Sequence, residues 1–390
     1  MLYGSMEPNE RFRARRAQAR RRRRLRRALL VGVALIVVLA IAAGWQFRPV
    51  RGATAGHPAQ RVAKTPSVAV VARPRPLPVE IRGVHVTGPL ASLPGKLAEY
   101  AALQGQGLNT IVLDVKDEGG EIAFAPAGVP LARAVGAVRP FYDPRAVARF
   151  LHARGIYLIG RVVVFQDPVL SQGRSRLAVH RPNGAVWTTS AGLGWVDPYN
   201  RQVWTYNAAI ARAAARAGFD EIMFDYVRFP SDGDVGSTVY PARTAEPKGR
   251  VVGDFMEFAR ARLRPLHVRV STALFGLSAT RDLRIGQVPR WLATHVDTIS
   301  PMAYPVLYGN GELGIDEPSA QPGETVFRTL IDFRRQLRGS NAHLVPWIQD
   351  WGYDLDQVRA QIDAARLQGA KGYLLWNAEG VYTPGALAPS

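Results

Sequence analysis

One event recurs eight times between residue 79 and the C-terminus, and it constrains the fold more than any other feature of the chain. A short apolar run rich in β-branched and aromatic residues is followed by a polar or Gly/Pro-containing break, then by a helix-compatible stretch. The runs are Val79–Val86, Thr110–Val115, Tyr157–Phe165, Glu221–Phe229, Val268–Phe275, Thr298–Tyr304, His343–Trp351 and Gly372–Asn377. Near-continuous apolar strands, each separated by room for a helix, form a parallel sheet covered on its outer face. Eight such units in one chain favour an α/β fold of the closed (β/α)8 TIM-barrel type over an open sheet. Helices are expected over Val203–Ala217 and Val251–Leu263. Gly107, Gly155, Gly218 and Gly369 stop the helices that precede a strand.

The formal charge of +19 would suggest a nucleic-acid partner if it were spread over the fold. It is concentrated instead. Residues 1–27 carry eleven Arg against Glu7 and Glu10, and residues 48–78 add six basic residues and no acid. From Val79 onward 33 basic and 29 acidic residues remain, a net of +4, so the folded part is nearly neutral and no nucleic-acid partner is expected.

Ala28–Phe47 contains no charged side chain. About 20 residues at ~1.5 Å each cross a hydrocarbon layer of ~30 Å as a helix. Arg before the span keeps that end in the cytoplasm, and Trp45 sits where an interfacial aromatic belongs. A cleaved signal peptide is the rival reading, with Ala40-Ile41-Ala42 as small residues at a cleavage-like spacing; the length of the span favours an uncleaved anchor. The expected organisation is a basic cytoplasmic segment (1–27), a transmembrane signal anchor (28–47), an extended Pro/Ala/Arg-rich linker (48–78) and an extracytoplasmic barrel (79–390). If the anchor is cleaved, the protein is secreted.

The chain has no Cys, which excludes disulfides, thiolate metal sites and Cys nucleophiles. No Gly-rich phosphate loop follows a strand, no Gly-x-Ser-x-Gly elbow is present, and the seven His are scattered, so neither cofactor nor metal is expected. His85 reads as a hydrogen-bonded lining or core residue rather than a metal ligand.

In barrel enzymes the working residues come from strand C-termini and the loops after them. Those places hold Asp114, Lys116, Asp117 and Glu118 after the second run, Asp225 and Arg228 in the fourth, Tyr304 in the sixth, Asp350 in the seventh, and Trp376, Asn377 and Glu379 around the eighth. Trp195 lies in the long loop after the third. Carboxylates and aromatic faces on one rim suit sugar chemistry: flat rings stack on pyranose C–H surfaces, and two carboxyl groups flank the scissile bond. Arg228, three residues beyond Asp225, is expected to hold it ionised. Lys116 could bind a substrate hydroxyl, with Asp114 paired to it.

The segments Leu113-Asp-Val-Lys-Asp117, Asp197-Pro-Tyr-Asn200, Gly218 through Asp232 with its Asp-Tyr-Val-Arg-Phe-Pro core, Pro346-Trp-Ile-Gln-Asp350 and Leu375-Trp-Asn377 resemble the putative glycoside hydrolase domain family of bacterial envelope and secreted proteins. The resemblance covers nearly all of residues 80–385. It implies a glycosidase-like TIM barrel acting on a carbohydrate by two-carboxylate catalysis, and imports the fold more firmly than the activity. It points to Asp225 as nucleophile or base, with Asp117 or Asp350 as its partner. Glu118 and Glu379 are less tied to the pattern. Lys116, Arg228, Tyr304, Trp195, Trp376 and Asn377 are then the candidate substrate contacts. A barrel that binds glycan without cleaving it is the alternative.

Overall fold

The computed structural model describes residues 75–389. Eight parallel strands close into a barrel: β1 (Ile81–Val86), β2 (Thr110–Lys116), β3 (Tyr157–Val163), β4 (Glu221–Asp225), β5 (Arg269–Phe275), β6 (Thr298–Ala303), β7 and β8 (Gly372–Trp376). Strand β7 comes in two pieces, His343–Leu344 and Trp347–Gln349. Pro346 has no N–H to give the ladder and interrupts the strand there. Each strand pairs with the next, and β8 returns to β1 with Ile81 opposite Gly372. That last junction is tight: Gly372 has φ +137, and a Cβ there would lie 2.1 Å from the Ile81 carbonyl oxygen. Only glycine lets the barrel close at this point.

One main helix fills each gap between strands: α1 (Lys96–Ala102), α2 (Pro144–His152), α3 (Arg201–Ala217), α4 (Lys248–Leu263), α5 (Pro289–Leu292), α6 (Pro322–Gln336) and α7 (Leu355–Leu367). The expected glycine stops hold, with Gly107, Gly155, Gly218 and Gly369 all at positive φ. Asn200 caps α3 by accepting a hydrogen bond from the Gln202 N–H at 2.9 Å. No α-helix follows β8 among the described residues.

Two apolar layers form because strand side chains alternate. Leu113, Val115, Ile222 and Phe224 face the helices, while Val112, Ile159, Met223, Trp347 and Leu374 pack inside the barrel. At the C-terminal rim β3, β4, β6, β7 and β8 stop short of their apolar runs, β1 and β5 end with theirs, and β2 runs one residue further. Strand β4 stops at Asp225 because Tyr226 adopts φ +53, a conformation that cannot continue a strand. Loops after β3 and β4 build up this rim, tied together by the Trp187 indole N–H donating to the Asp234 carbonyl at 2.8 Å.

Among the described residues no helix is long and apolar enough to cross a membrane. The expected basic segment, the anchor over 28–47 and all but the last four residues of the 48–78 linker lie outside the described residues.

Candidate active site

Four consecutive strands each deliver one polar side chain to the C-terminal mouth of the barrel: His85 from β1, Asp114 from β2, Arg161 from β3 and Asp225 from β4. All four are buried. Arg161 is the hub. Its Nε and Nη2 lie 2.9 and 2.8 Å from Asp225 Oδ2, and its Nη1 reaches Asp114 Oδ1 at 2.8 Å and Glu118 Oε2 at 3.3 Å. His85 Nε2 shares Asp114 Oδ1 at 2.8 Å. The remaining Asp225 oxygen accepts the Tyr226 N–H at 2.7 Å, so both oxygens of this carboxylate are fixed.

Trp376, at the end of β8, completes the inner wall. It stacks on His85 with ring centres 4.1 Å apart, and the Arg161 guanidinium lies 5.2 Å from its ring centre. Trp347 packs edge-on against it at 5.5 Å. The result is a cation held between an aromatic face and three carboxylates, a geometry that fixes every member's orientation.

Ionisation differs sharply between the carboxyls. Burial works to raise Asp114, but the charges of His85 and Arg161 outweigh it and hold the group below the ordinary carboxylate range. Asp117 goes the other way. Burial, then the neighbouring Glu118 and Asp114 charges, push it up to about 7. Its Oδ1 accepts the backbone N–H groups of Gly119 and Glu121, each at 2.9 Å, which fixes the turn after β2. Gly120 lets that turn close on the next loop, since a Cβ there would lie 2.2 Å from Asp167 Oδ1. One half-buried carboxyl beside an ion-paired network therefore holds its proton up to about neutral pH.

The other expected residues divide between this site and other surroundings. Arg228 does not reach Asp225 as expected. The positive φ at Tyr226 turns the chain, and the guanidinium instead bonds the Phe229 carbonyl and Ser231 Oγ at 3.1 and 3.0 Å between the rings of Trp195, Phe275 and Tyr226. Lys116 is also displaced from its expected role. Strict alternation would put it inside with Asp114, but a register shift between Asp114 and Lys116 turns it outward. There it is fully buried against α3, 2.7 Å from Asp167 Oδ2 and 2.9 Å from both Asn207 Oδ1 and the Val163 carbonyl. Asp114 accordingly pairs with His85 and Arg161, not with Lys116.

Trp195 is fully buried under Arg228 and Tyr304 is buried edge-on to Trp351 at 5.2 Å, so both pack rather than present a free face. Asp350 is buried at the end of β7, and burial raises its carboxyl although both oxygens accept hydrogen bonds from Thr383. Asn377 donates to the Asp350 carbonyl and accepts the Glu379 N–H at 2.9 Å, while Glu379 itself is exposed. Asp350 and Asn377 thus tie down the segment after β8.

Arg161 is the residue the sequence reading missed. Its signal was present: a lone guanidinium inside the apolar run Tyr157–Phe165 has to find buried carboxylates or break the strand. His85 is a hydrogen-bonded lining residue, as read from the sequence. Among the described residues no group of three or more His, Asp or Glu is arranged to hold a metal ion.

Residues 83–382 match the family described as a putative glycosyl hydrolase domain. The chain belongs to that family. A hypothetical protein from Ruminiclostridium thermocellum ATCC 27405 is 34% identical to this family member over 48% of the present chain and 96% of its own, with a TM-score of 0.45. The PgaB (BpsB) glycoside hydrolase domain from Bordetella bronchiseptica is 17% identical, with 78% and 95% of the two chains covered and a TM-score of 0.58. An alpha-amylase from Lactobacillus plantarum is 15% identical, with coverage of 77% and 71% and a TM-score of 0.50. The last two share the barrel fold. No curated protein matches the chain.

Proposed function

We propose that this family member is a glycoside hydrolase of an envelope or extracellular polysaccharide, with Asp225 as nucleophile or base and Asp117 as proton donor. The observation that carries the reading is the contrast between the two carboxyls. Asp225 is immobilised at the barrel mouth by Arg161 and the Tyr226 N–H, while Asp117, beyond the end of β2 with β3 between the two, keeps its proton close to neutral pH. Protonation of the glycosidic oxygen by Asp117 would let the leaving sugar depart. Asp225 would then meet the developing oxocarbenium carbon directly or take a proton from the attacking water. Trp376 supplies an aromatic wall beside that point, and Asp350, committed to Thr383, takes a structural part.

The apolar segment 28–47 belongs to the same reading: it would tether the barrel on the outer side of the cytoplasmic membrane, where such a glycan is found. Proteolysis of intact cells that removed the barrel without breaking the membrane would support this topology; protection of the barrel would refute it.

The enzymatic test is turnover of a panel of bacterial polysaccharides and aryl glycosides by the wild type and Asp225→Asn. Loss of at least roughly 10³-fold in kcat with the fold intact is expected, and unchanged turnover refutes the assignment. A barrel that binds glycan without cleaving it is favoured by one feature, the saturation of Asp225 and Asp114 by Arg161. It would show glycan retention by both proteins and turnover by neither.

A further inference from the structure

The opposite end of the barrel carries a cleft of about 820 Å³, at the N-terminal ends of β1, β7 and β8 and the C-terminal ends of α6 and α7. Five cationic side chains line it, Arg334, Arg335, Arg338, Arg366 and Lys371, against a single carboxylate, Glu80. Arg366 pairs with Glu80 at 2.8 Å and Asp363 at 3.1 Å, and Arg335 with Asp332 at 3.0 Å. The other three have no carboxylate partner among the described residues. Arg334 donates only to the neutral Gln368 side chain at 3.0 Å. The Arg366 Nη2 is buried with no hydrogen-bond acceptor.

Arginines at helix C-termini often do no more than offset the roughly half negative charge there. That explains Arg334, Arg335 and Arg366, which lie in the last turns of α6 and α7. It does not explain Arg338 and Lys371, which lie beyond both helices and point into the same cleft. The positive field is felt locally: burial, then the Lys371 and Arg269 charges, lowers the His343 imidazole at the cleft wall. Two apolar side chains stand at the edge of this basic cleft, Val79 at 90% exposure and Leu367 at 74%. The chain also enters the described fold at this end, with Leu77 packed into the base of the barrel interior.

We infer that this end of the barrel docks on a bilayer surface, the cleft taking the phosphodiester group of an anionic phospholipid while Val79 and Leu367 insert at its edge. Unpaired cations beside protruding apolar residues are the chemistry of peripheral membrane attachment. Docking by this end turns the Asp225 mouth away from the membrane, since the two lie at opposite ends of the same strands.

The absence of Cys makes a clean test possible. In the full chain, Leu367→Cys carries an environment-sensitive fluorophore, and the protein is diluted from detergent onto vesicles of phosphatidylcholine alone or mixed with phosphatidylglycerol. The basic segments 1–27 and 48–78 would themselves favour anionic vesicles, so only the part of the difference that depends on Arg338 and Lys371 reads the cleft. A blue shift in anionic vesicles only is expected, together with loss of the shift in Arg338→Gln/Lys371→Gln. At about fivefold per cation, the pair should lower the ratio of docked to free label about 25-fold. Equal responses on both vesicles, or a response the double variant retains, would overturn the inference. Soluble pyrophosphate is the second arm: thermal stabilisation by it, lost in the double variant and without any vesicle shift, would assign the cleft to a free phosphate instead of a lipid.

Discussion

Arg161→Met is the most exacting perturbation of the site, because one guanidinium answers to three carboxylates. The change preserves much of the side-chain volume against Trp376 and removes every donor. Asp225 Oδ2 loses both of its charged contacts, and Asp114 keeps only His85. Glu118, 12% exposed at the edge, can turn to water and contributes little. Stranding buried carboxylates in this way costs about 3–5 kcal/mol. The sign of the pH dependence follows from the ionised groups. In the variant, the burial of Asp114 is no longer offset by the guanidinium, so the penalty is complete at neutral pH and fades as pH falls through the carboxylate range and the group protonates. Urea unfolding followed by tryptophan fluorescence at about pH 7 and about pH 4 measures both numbers. Adding Asp225→Asn should recover part of the loss at neutral pH, since an amide needs no counter-charge. A cost under about 1 kcal/mol at neutral pH, or an equal cost at both pH values, would refute the description of Arg161 as the hub.

Three further outcomes are expected. If Asp117 is the proton donor, kcat/KM on a glycan falls about tenfold per pH unit above about 7, and Asp117→Asn removes roughly 10²–10⁴-fold on that glycan but little on a dinitrophenyl glycoside, whose leaving group needs no proton. Equal losses on both substrates would exclude the role. At the barrel floor, burial pushes Glu221 up to about 7 despite the hydrogen bond it accepts from the Tyr157 hydroxyl at 3.1 Å, so its ionisation opposes folding as pH rises from the unfolded value through 7. Glu221→Gln should then gain on the wild type with rising pH, approaching about 3 kcal/mol by about pH 8 in urea titrations, and a pH-independent difference contradicts this. Asp350→Asn removes an acceptor from the Thr383 bonds, so amide exchange over residues 377–389 should quicken at least about tenfold while β1–β4 exchange is unchanged; slow exchange there would show that Asp350 does not hold the segment.

The fold was legible because it rests on local and periodic information. Eight apolar runs, their glycine stops and the spacing between them need no knowledge of distant contacts to be counted, and α3 and α4 began within three residues of their expected starts. Strand ends were less legible: an apolar run continues into the wall of the rim loops after its pairing has stopped, as at Phe165 and Phe229.

For the candidate site, chain position pointed to the strand ends at the barrel mouth but could not say which charges meet. Asp225 and Asp117 could be named as candidates because carboxylates at strand C-termini are visible in the sequence. Their partners were not. Arg228 is near Asp225 along the chain, yet the positive φ at Tyr226 turns it away. Lys116 has the parity of an inward residue, yet one register shift sends it to α3. Arg161, 64 residues from Asp225, becomes its partner only because β3 and β4 lie side by side in the closed barrel. The sequence alone determined that a barrel forms and which rim carries charge, since both follow from residue type and period. Only the tertiary structure decided which cation serves which carboxylate, because ion pairing depends on distance through space and on burial, and the chain order encodes neither.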